Sequence, residues 1–193
     1  TLTLTKNTST VNNSPQWGSG YNIFGNSFTA AIDISKIQFP ALGVDKTVYL
    51  YNTGSLADWG NNNIPDFKFD AGRYISIPQN TSPVIGKEIP SMQGFLLKTT
   101  TNGAQVTIPY SAAAGISATP NTTLQRAKQT VPASGEFSYM TVDVPGAGGV
   151  DRVWLFSQPE TSHRFDNGWD GEKILLATGI VLYADEETGK YQV

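Results

Sequence analysis

The sequence predicts an all-β fold, a β-sandwich or jelly-roll-like arrangement built as one body or as two packed β subdomains. Three observations predict it. Runs of β-branched and aromatic residues recur at roughly eight-to-twelve-residue spacing with turn signals between them. Charged residues make up only 15% of the chain, against about 25% in an average soluble protein, and Thr, Ser, Asn and Gly fill the difference. Turn dipeptides such as Gly25-Asn26, Asn102-Gly103, Asn167-Gly168 and Asp170-Gly171 punctuate the runs, as positions that accept positive φ do between strands.

Each element follows from its local pattern. Residues 1–5 alternate Thr and Leu at period two, the mark of a half-buried strand. Tyr21, Asn22, Ile23 and Phe24 form a short strand that Gly25-Asn26 ends. Ile32, Ile34 and Ile37 have a spacing that serves a strand or one helical turn, and we read a strand. Val48, Tyr49, Leu50 and Tyr51 form a strand closed by Asn52-Thr53-Gly54. Phe67 and Phe69 alternate with polar residues, and Tyr74, Ile75 and Ile77 continue the pattern to Pro78. Phe95, Leu96 and Leu97 face Val106, Thr107 and Ile108 across Asn102-Gly103, which predicts a type I′ hairpin. Further on come strands at 137–144 and 150–156, with Trp154 assigned to the core. Apolar runs follow at 173–177 and 180–184, then a last hairpin turning at Glu187-Thr188-Gly189-Lys190. Small residues without periodicity at 111–119 suggest a boundary, dividing the chain into an N-terminal β-sandwich (1–118) and a C-terminal β unit (119–193). Strands beyond Val193 are expected to complete the second unit.

Bulk properties exclude several function classes. With 193 residues, 39% of them hydrophobic, the chain can bury a sizeable core. A net charge of -3 gives no basic field for a phosphate backbone, so nucleic acid is not an expected partner. The absence of cysteine removes disulfide frameworks, zinc-thiolate sites and thiol nucleophiles. No apolar run approaches the ~18 residues of a membrane span. The opening residues lack a basic n-region and a cleavage site, so the chain reads as a piece whose signal peptide lies upstream or has been removed.

Three stretches together resemble a recurring type of Bacteroidetes exported or cell-surface protein. Residues 20–28, Gly-Tyr-Asn-Ile-Phe-Gly-Asn-Ser-Phe, are similar to a Gly-Trp-Asn-Leu-x-Gly-Asn-Pro-Phe opening, with Tyr21 for the tryptophan and Ser27 for the proline. Residues 89–98, Ile-Pro-Ser-Met-Gln-Gly-Phe-Leu-Leu-Lys, resemble the family's Ile-Pro-x-x-Gln-Gly-Phe-x-Val-Lys strand. Asp151-Arg152-Val153-Trp154 followed by residues 165–173 resembles its Phe-Asp-x-x-Tyr/Trp-Asp-x-x-Lys segment. The resemblance implies a modular, non-catalytic, β-rich protein that is secreted or displayed at the cell surface, often through type IX secretion. It implies no catalytic residues.

Candidate sites are weighed against plainer roles. Asp166, Asp170 and Glu172 suit calcium as hard oxygen ligands on a tight loop, but an EF-hand register puts Gly168 and Ala177 at positions that need ligands. Asp166 and Asp170 equally suit acceptors of backbone N–H groups that hold the turn. The same acids suggest a glycosidase pair only if two carboxyls face each other across a sugar. His163 beside Ser162 reads as a solvated loop residue. Trp17, Tyr21, Trp59 and Trp169 suggest sugar stacking, and Trp59 beside Asp58, Asn61 and Asn62 is the best local candidate. The expected function is a structural or adhesion module, with carbohydrate binding as the alternative and a glycan-active hydrolase third; glycans or surface proteins are the expected partners. No cofactor is expected apart from calcium at the acidic loop.

Overall fold

A computed structural model describes residues 1–6, 10–11, 14–15, 20–52, 73–113, 138–146, 149–175 and 180–193. The all-β expectation holds: among these residues the longest helix, α1 (Ser82–Ile85), is a single turn, and no helix is long and apolar enough to cross a membrane. The centre of the fold is a four-stranded antiparallel sheet. Its strands are β4 (Tyr21–Gly25), β6 (Thr47–Asn52), β7 (Arg73–Pro78) and β9 (Gly94–Lys98), in the order β4-β9-β6-β7.

Period-two alternation decides which side chains enter the core. Val48 and Leu50 of β6, Ile77 of β7 and Phe95 and Leu97 of β9 are buried on one face. Against that face pack Leu4, Ile32, Ile34, Ile37, Val84, Ile85, Ile89 and Val106. A fully buried side chain of this size stabilises the fold by about 1.5–3 kcal/mol. The elements that carry these residues are short antiparallel pairs. β1 (Leu2–Leu4) pairs with β10 (Ala104–Val106), and β5 (Ile32–Asp33) pairs with β8 (Glu88–Ile89). Residues Thr10–Val11 (β2) and Ser14–Pro15 (β3) pair with each other.

Two local expectations are corrected. Asn102-Gly103 does form a turn, with Gly103 at φ 74°, but its arms are not a hairpin. β9 lies between β4 and β6, so both of its edges are already bonded. β10 therefore pairs with β1, and the Gly103 N–H donates to the Leu4 carbonyl. The isoleucine run is only briefly a strand. After Asp33 it tightens into a 3-10 turn at Ile34–Lys36, whose first N–H groups are exposed to the Asp33 carboxylate; Oδ1 accepts from Ser35 N at 3.1 Å. All three isoleucines are buried.

Two of the stretches that resemble the surface-protein family meet at one side chain. Asn26 is 1% exposed. Its Nδ2 donates to the carbonyls of Ala30, Ile89 and Pro90, each at 3.0 Å, and its Oδ1 accepts from Phe28 N at 3.0 Å. Its own N–H donates to the Gln93 carbonyl and its carbonyl accepts from Met92 N. Asn26 thus ties the end of β4 to the approach to β9, 63 residues away.

The C-terminal part contains a long hairpin, β11 (Ser138–Gly146) with β12 (Gly149–Ser157), and a short one, β13 (Ala184–Glu186) with β14 (Gly189–Tyr191). One face of the long hairpin carries Tyr139, Trp154 and Phe156 in mutual contact, and Trp154 is buried as expected. The other face turns Met140, Val142 and Leu155 to solvent while Val153 and Asp151 are buried. The expected boundary at 118/119 lies outside the described residues.

Candidate functional site

The second face of the four-stranded sheet mixes the aliphatic Ile23 and Leu96 with aromatic and polar side chains: Tyr21 of β4, Tyr49 of β6, Ser76 of β7 and Lys98 of β9. Over it lies the acidic loop 166–173. Several backbone contacts seat the loop. Asn167 acts as a surrogate strand residue, its Oδ1 accepting from Lys46 N at 2.7 Å and its Nδ2 donating to the Val44 carbonyl at 3.0 Å. Asn80 N donates to the Gly168 carbonyl at 2.9 Å. The Ser76 hydroxyl donates to the Glu172 carbonyl, and Ser76 N, on the outer edge of β7, donates to Gln192 Oε1 at 3.0 Å. Residues 171–173 pair in turn with 190–193, and the Gln192 carbonyl accepts from Trp154 N at 2.8 Å. The loop is therefore held between the sheet and the C-terminal strands.

The two loop glycines serve different purposes. Gly168 takes φ 100°, which the Asn-Gly dipeptide foretells. Gly171 has no such torsion. A Cβ there would lie 2.8 Å from Ser76 Cβ and 3.2 Å from Pro78 Cγ, so its need for glycine is the close approach to β7.

A charged cluster closes the seam. Lys98 Nζ lies 2.5 Å from Glu172 Oε1 and 3.8 Å from Asp45 Oδ2. The Tyr21 hydroxyl donates to Glu172 Oε2 at 3.1 Å, and its ring meets Tyr49 edge-on at 5.2 Å. Two carboxylates share one ammonium group. Burial pushes the Asp45 carboxyl up, Lys98 pulls it down and the Glu172 charge pushes it up again. Burial pushes both tyrosine hydroxyls well up, with the Glu172 charge next for Tyr21 and the Tyr21 neighbour next for Tyr49. With the acids compensated by Lys98 and the tyrosines held protonated, the cluster cross-braces two chain segments.

The sequence-derived site residues separate accordingly. Asp166 Oδ2 accepts from Ser162 N, and Asp170 Oδ2 accepts from Asp166 N at 2.6 Å, the turn-holding role set out above. Glu172 instead faces Lys98 and Tyr21. Among the described residues no three His, Cys, Asp or Glu side chains gather as a metal-binding group. His163 is exposed, Trp169 is partly buried, and Phe165 stacks on Tyr191 at 5.6 Å. Trp17, Asp58, Trp59, Asn61 and Asn62 lie outside the described residues. Sequence reasoning missed Asp45, Tyr49 and Lys98 as members of this cluster, because they lie far from the loop in the chain (Lys98 to Glu172, 172 − 98 = 74) and nothing local links them to its acids.

Asp170 gives the seam a pH dependence. Burial pushes its carboxyl from 3.8 to about 6; the Asp166 N–H opposes this, while the charges of Asp166 and Glu186 add to it. The folded state then holds a proton that the unfolded state releases between those values, so this contribution is present below about pH 4 and is lost as pH rises through about 6. Asp170→Asn keeps an acceptor for Asp166 N–H and removes the charge. It should leave stability unchanged near pH 4 and raise it at pH 7.5 by on the order of 1 kcal/mol after solvent screening. Urea melts at the two pH values check this; the same difference at both would contradict it.

Compared with known proteins, the chain is 38% identical over 188 residues to the minor fimbrium subunit Mfa5 of Porphyromonas gingivalis. The match covers 91% of this chain and 15% of that protein, so the chain spans about one-seventh of its length. No family model matches the chain, and no solved structure matches it significantly.

Proposed function

We propose that the chain is a non-catalytic β module of a bacterial cell-surface appendage of the Bacteroidetes type, serving structure or adhesion through contacts with other surface proteins. The observation that carries the reading is the 38% identity, over nearly the whole chain, to a segment of a fimbrium subunit. The seam supports it: its acids are turned to protein donors that brace the module. Immunogold labelling of the intact source bacterium with antibodies against this chain tests the reading. Label on surface filaments is the expected result, and label confined to the cell interior would overturn it. Export by type IX secretion, the route the resemblance implies, predicts retention of the label inside secretion-deficient cells.

A second reading is carbohydrate binding through Trp59, Asp58, Asn61, Asn62 and Trp17, motivated by aromatics set beside amides and an acid in the sequence. A glycan array with the native chain and Trp59→Ala, run with and without calcium, decides it. Binding lost in the variant supports the reading, and absence of binding on a broad array removes it. Calcium dependence would revive the acidic loop of Asp166, Asp170 and Glu172 as a metal site, in an arrangement other than the one in which Glu172 faces Lys98 and Tyr21.

A further inference from the structure

Lys173 and Asp151 form the most deeply buried pair of opposite charges among the described residues, with side chains 3% and 1% exposed and Nζ 2.5 Å from Oδ1. Two charges withdrawn so far from water pay a desolvation cost that their attraction seldom repays in full. Their surroundings are ordered as a reaction centre would be. Asp151 Oδ2 accepts from Leu182 N at 2.6 Å, and Oδ1 also accepts from Arg152 N at 3.1 Å. The backbone of both partners is fixed: Asp151 lies in β12 opposite Val144, and Lys173 N donates to the Lys190 carbonyl at 2.8 Å. Neighbouring Val153 and Trp154 are buried as well. An amine and a carboxyl are thus held in contact, shielded from water, with a backbone donor already on the second carboxyl oxygen.

We propose that Lys173 Nζ and Asp151 Cγ become joined by an amide bond formed within the folded protein. One proton passes from the ammonium to Oδ1 along the 2.5 Å contact, giving a neutral amine and a carboxylic acid. The Nζ lone pair attacks Cγ, and negative charge develops on Oδ2, where the Leu182 N–H already points; a preorganised donor at that place is what such an intermediate needs. A second proton moves from Nζ to the Oδ1 hydroxyl, the Cγ–Oδ1 bond breaks, and one water leaves. The ammonium and the carboxylate are converted to one neutral amide and one water, with no oxidant or other reactant. Proximity carries the step, since the two groups meet as parts of one rigid body rather than by diffusion. The bond would close a loop between positions 22 residues apart. That loop contains residues 166–172, so the link would lock the segment that docks on the sheet.

The test is the mass of the purified full chain and of its tryptic peptides. The native protein should be lighter than its sequence by one water. Trypsin should yield a branched peptide joining the fragment that ends at Arg152 to the fragment that begins at Phe165, with no cleavage after Lys173. Lys173→Arg keeps the positive charge but presents a poor nucleophile, and it should show the full sequence mass. A succinimide at Asp170-Gly171 would also lose one water, and the peptide map separates the two. A native protein at full mass, a lost water placed elsewhere, or a Lys173→Arg protein that is still one water light would each overturn the proposal.

Discussion

Asn26→Ala should destabilise the fold by about 3 kcal/mol or more, the cost of leaving several buried polar groups without partners at once. The substitution strips donors from the carbonyls of Ala30, Ile89 and Pro90 and an acceptor from Phe28 N. Each group abandoned in a buried site costs about 1–3 kcal/mol, and relaxation or an entering water recovers part of the sum. Asn26→Asp is the sharper comparison. It keeps the acceptor for Phe28 N but sets a carboxylate against three carbonyl oxygens, so it should destabilise at pH 7 at least as much as alanine. Urea or thermal unfolding of the three proteins is the measurement. A loss below about 1 kcal/mol for alanine would mean that the carbonyls find other donors, and Asn26 would not then be the tie between the two motif stretches.

That tie shows how the sequence can be read and where reading stops. Strands β4, β6, β7, β11 and β12 follow from alternation, because a pleated strand with one buried face leaves a period-two record in its own residues. Pairing leaves no such record. Asn102-Gly103 correctly marked a turn, yet β9 pairs with β4 and β6 because the hydrophobic faces of distant strands settle the register. The 3-10 turn after Asp33 and the single turn α1 were likewise hidden, since three or four residues carry too little periodicity to distinguish a turn from a strand end. At the seam, the roles of Asp166 and Asp170 were legible because each serves a donor four residues away. Glu172 was not, because its partners, Tyr21 and Lys98, stand on β4 and β9, far from it in the chain (Tyr21 by 151 residues). Gly171 was recognised as a glycine position for the wrong reason. Its constraint is a neighbour, not a torsion, and a neighbour 95 residues away in the chain is invisible locally (Ser76 to Gly171, 171 − 76).

Trp154→Ala should cost about 3–5 kcal/mol, the range for deleting a buried tryptophan or phenylalanine side chain. The residue is 7% exposed and lies 5.7 Å from Tyr139 and 6.5 Å from Phe156, ring to ring, with the Arg152 guanidinium 5.3 Å from its centroid. It belongs to the same apolar cluster as Val193 and the aliphatic face of the sheet, and its backbone N–H donates to the Gln192 carbonyl. Truncation therefore removes packing at the point where the long hairpin joins the remainder of the core. Trp154→Phe retains most of the apolar volume and should recover more than half of the loss. The form of the transition is as informative as its midpoint. If hairpin and sheet unfold together, the midpoint falls while the urea dependence keeps its native slope. Should the truncation uncouple them, the transition would broaden or split, with fluorescence of the remaining tryptophans departing from circular dichroism. A variant as stable as the native protein would mean that the hairpin contributes nothing to the shared core, and the contacts of Trp154 would then be a surface association rather than a join.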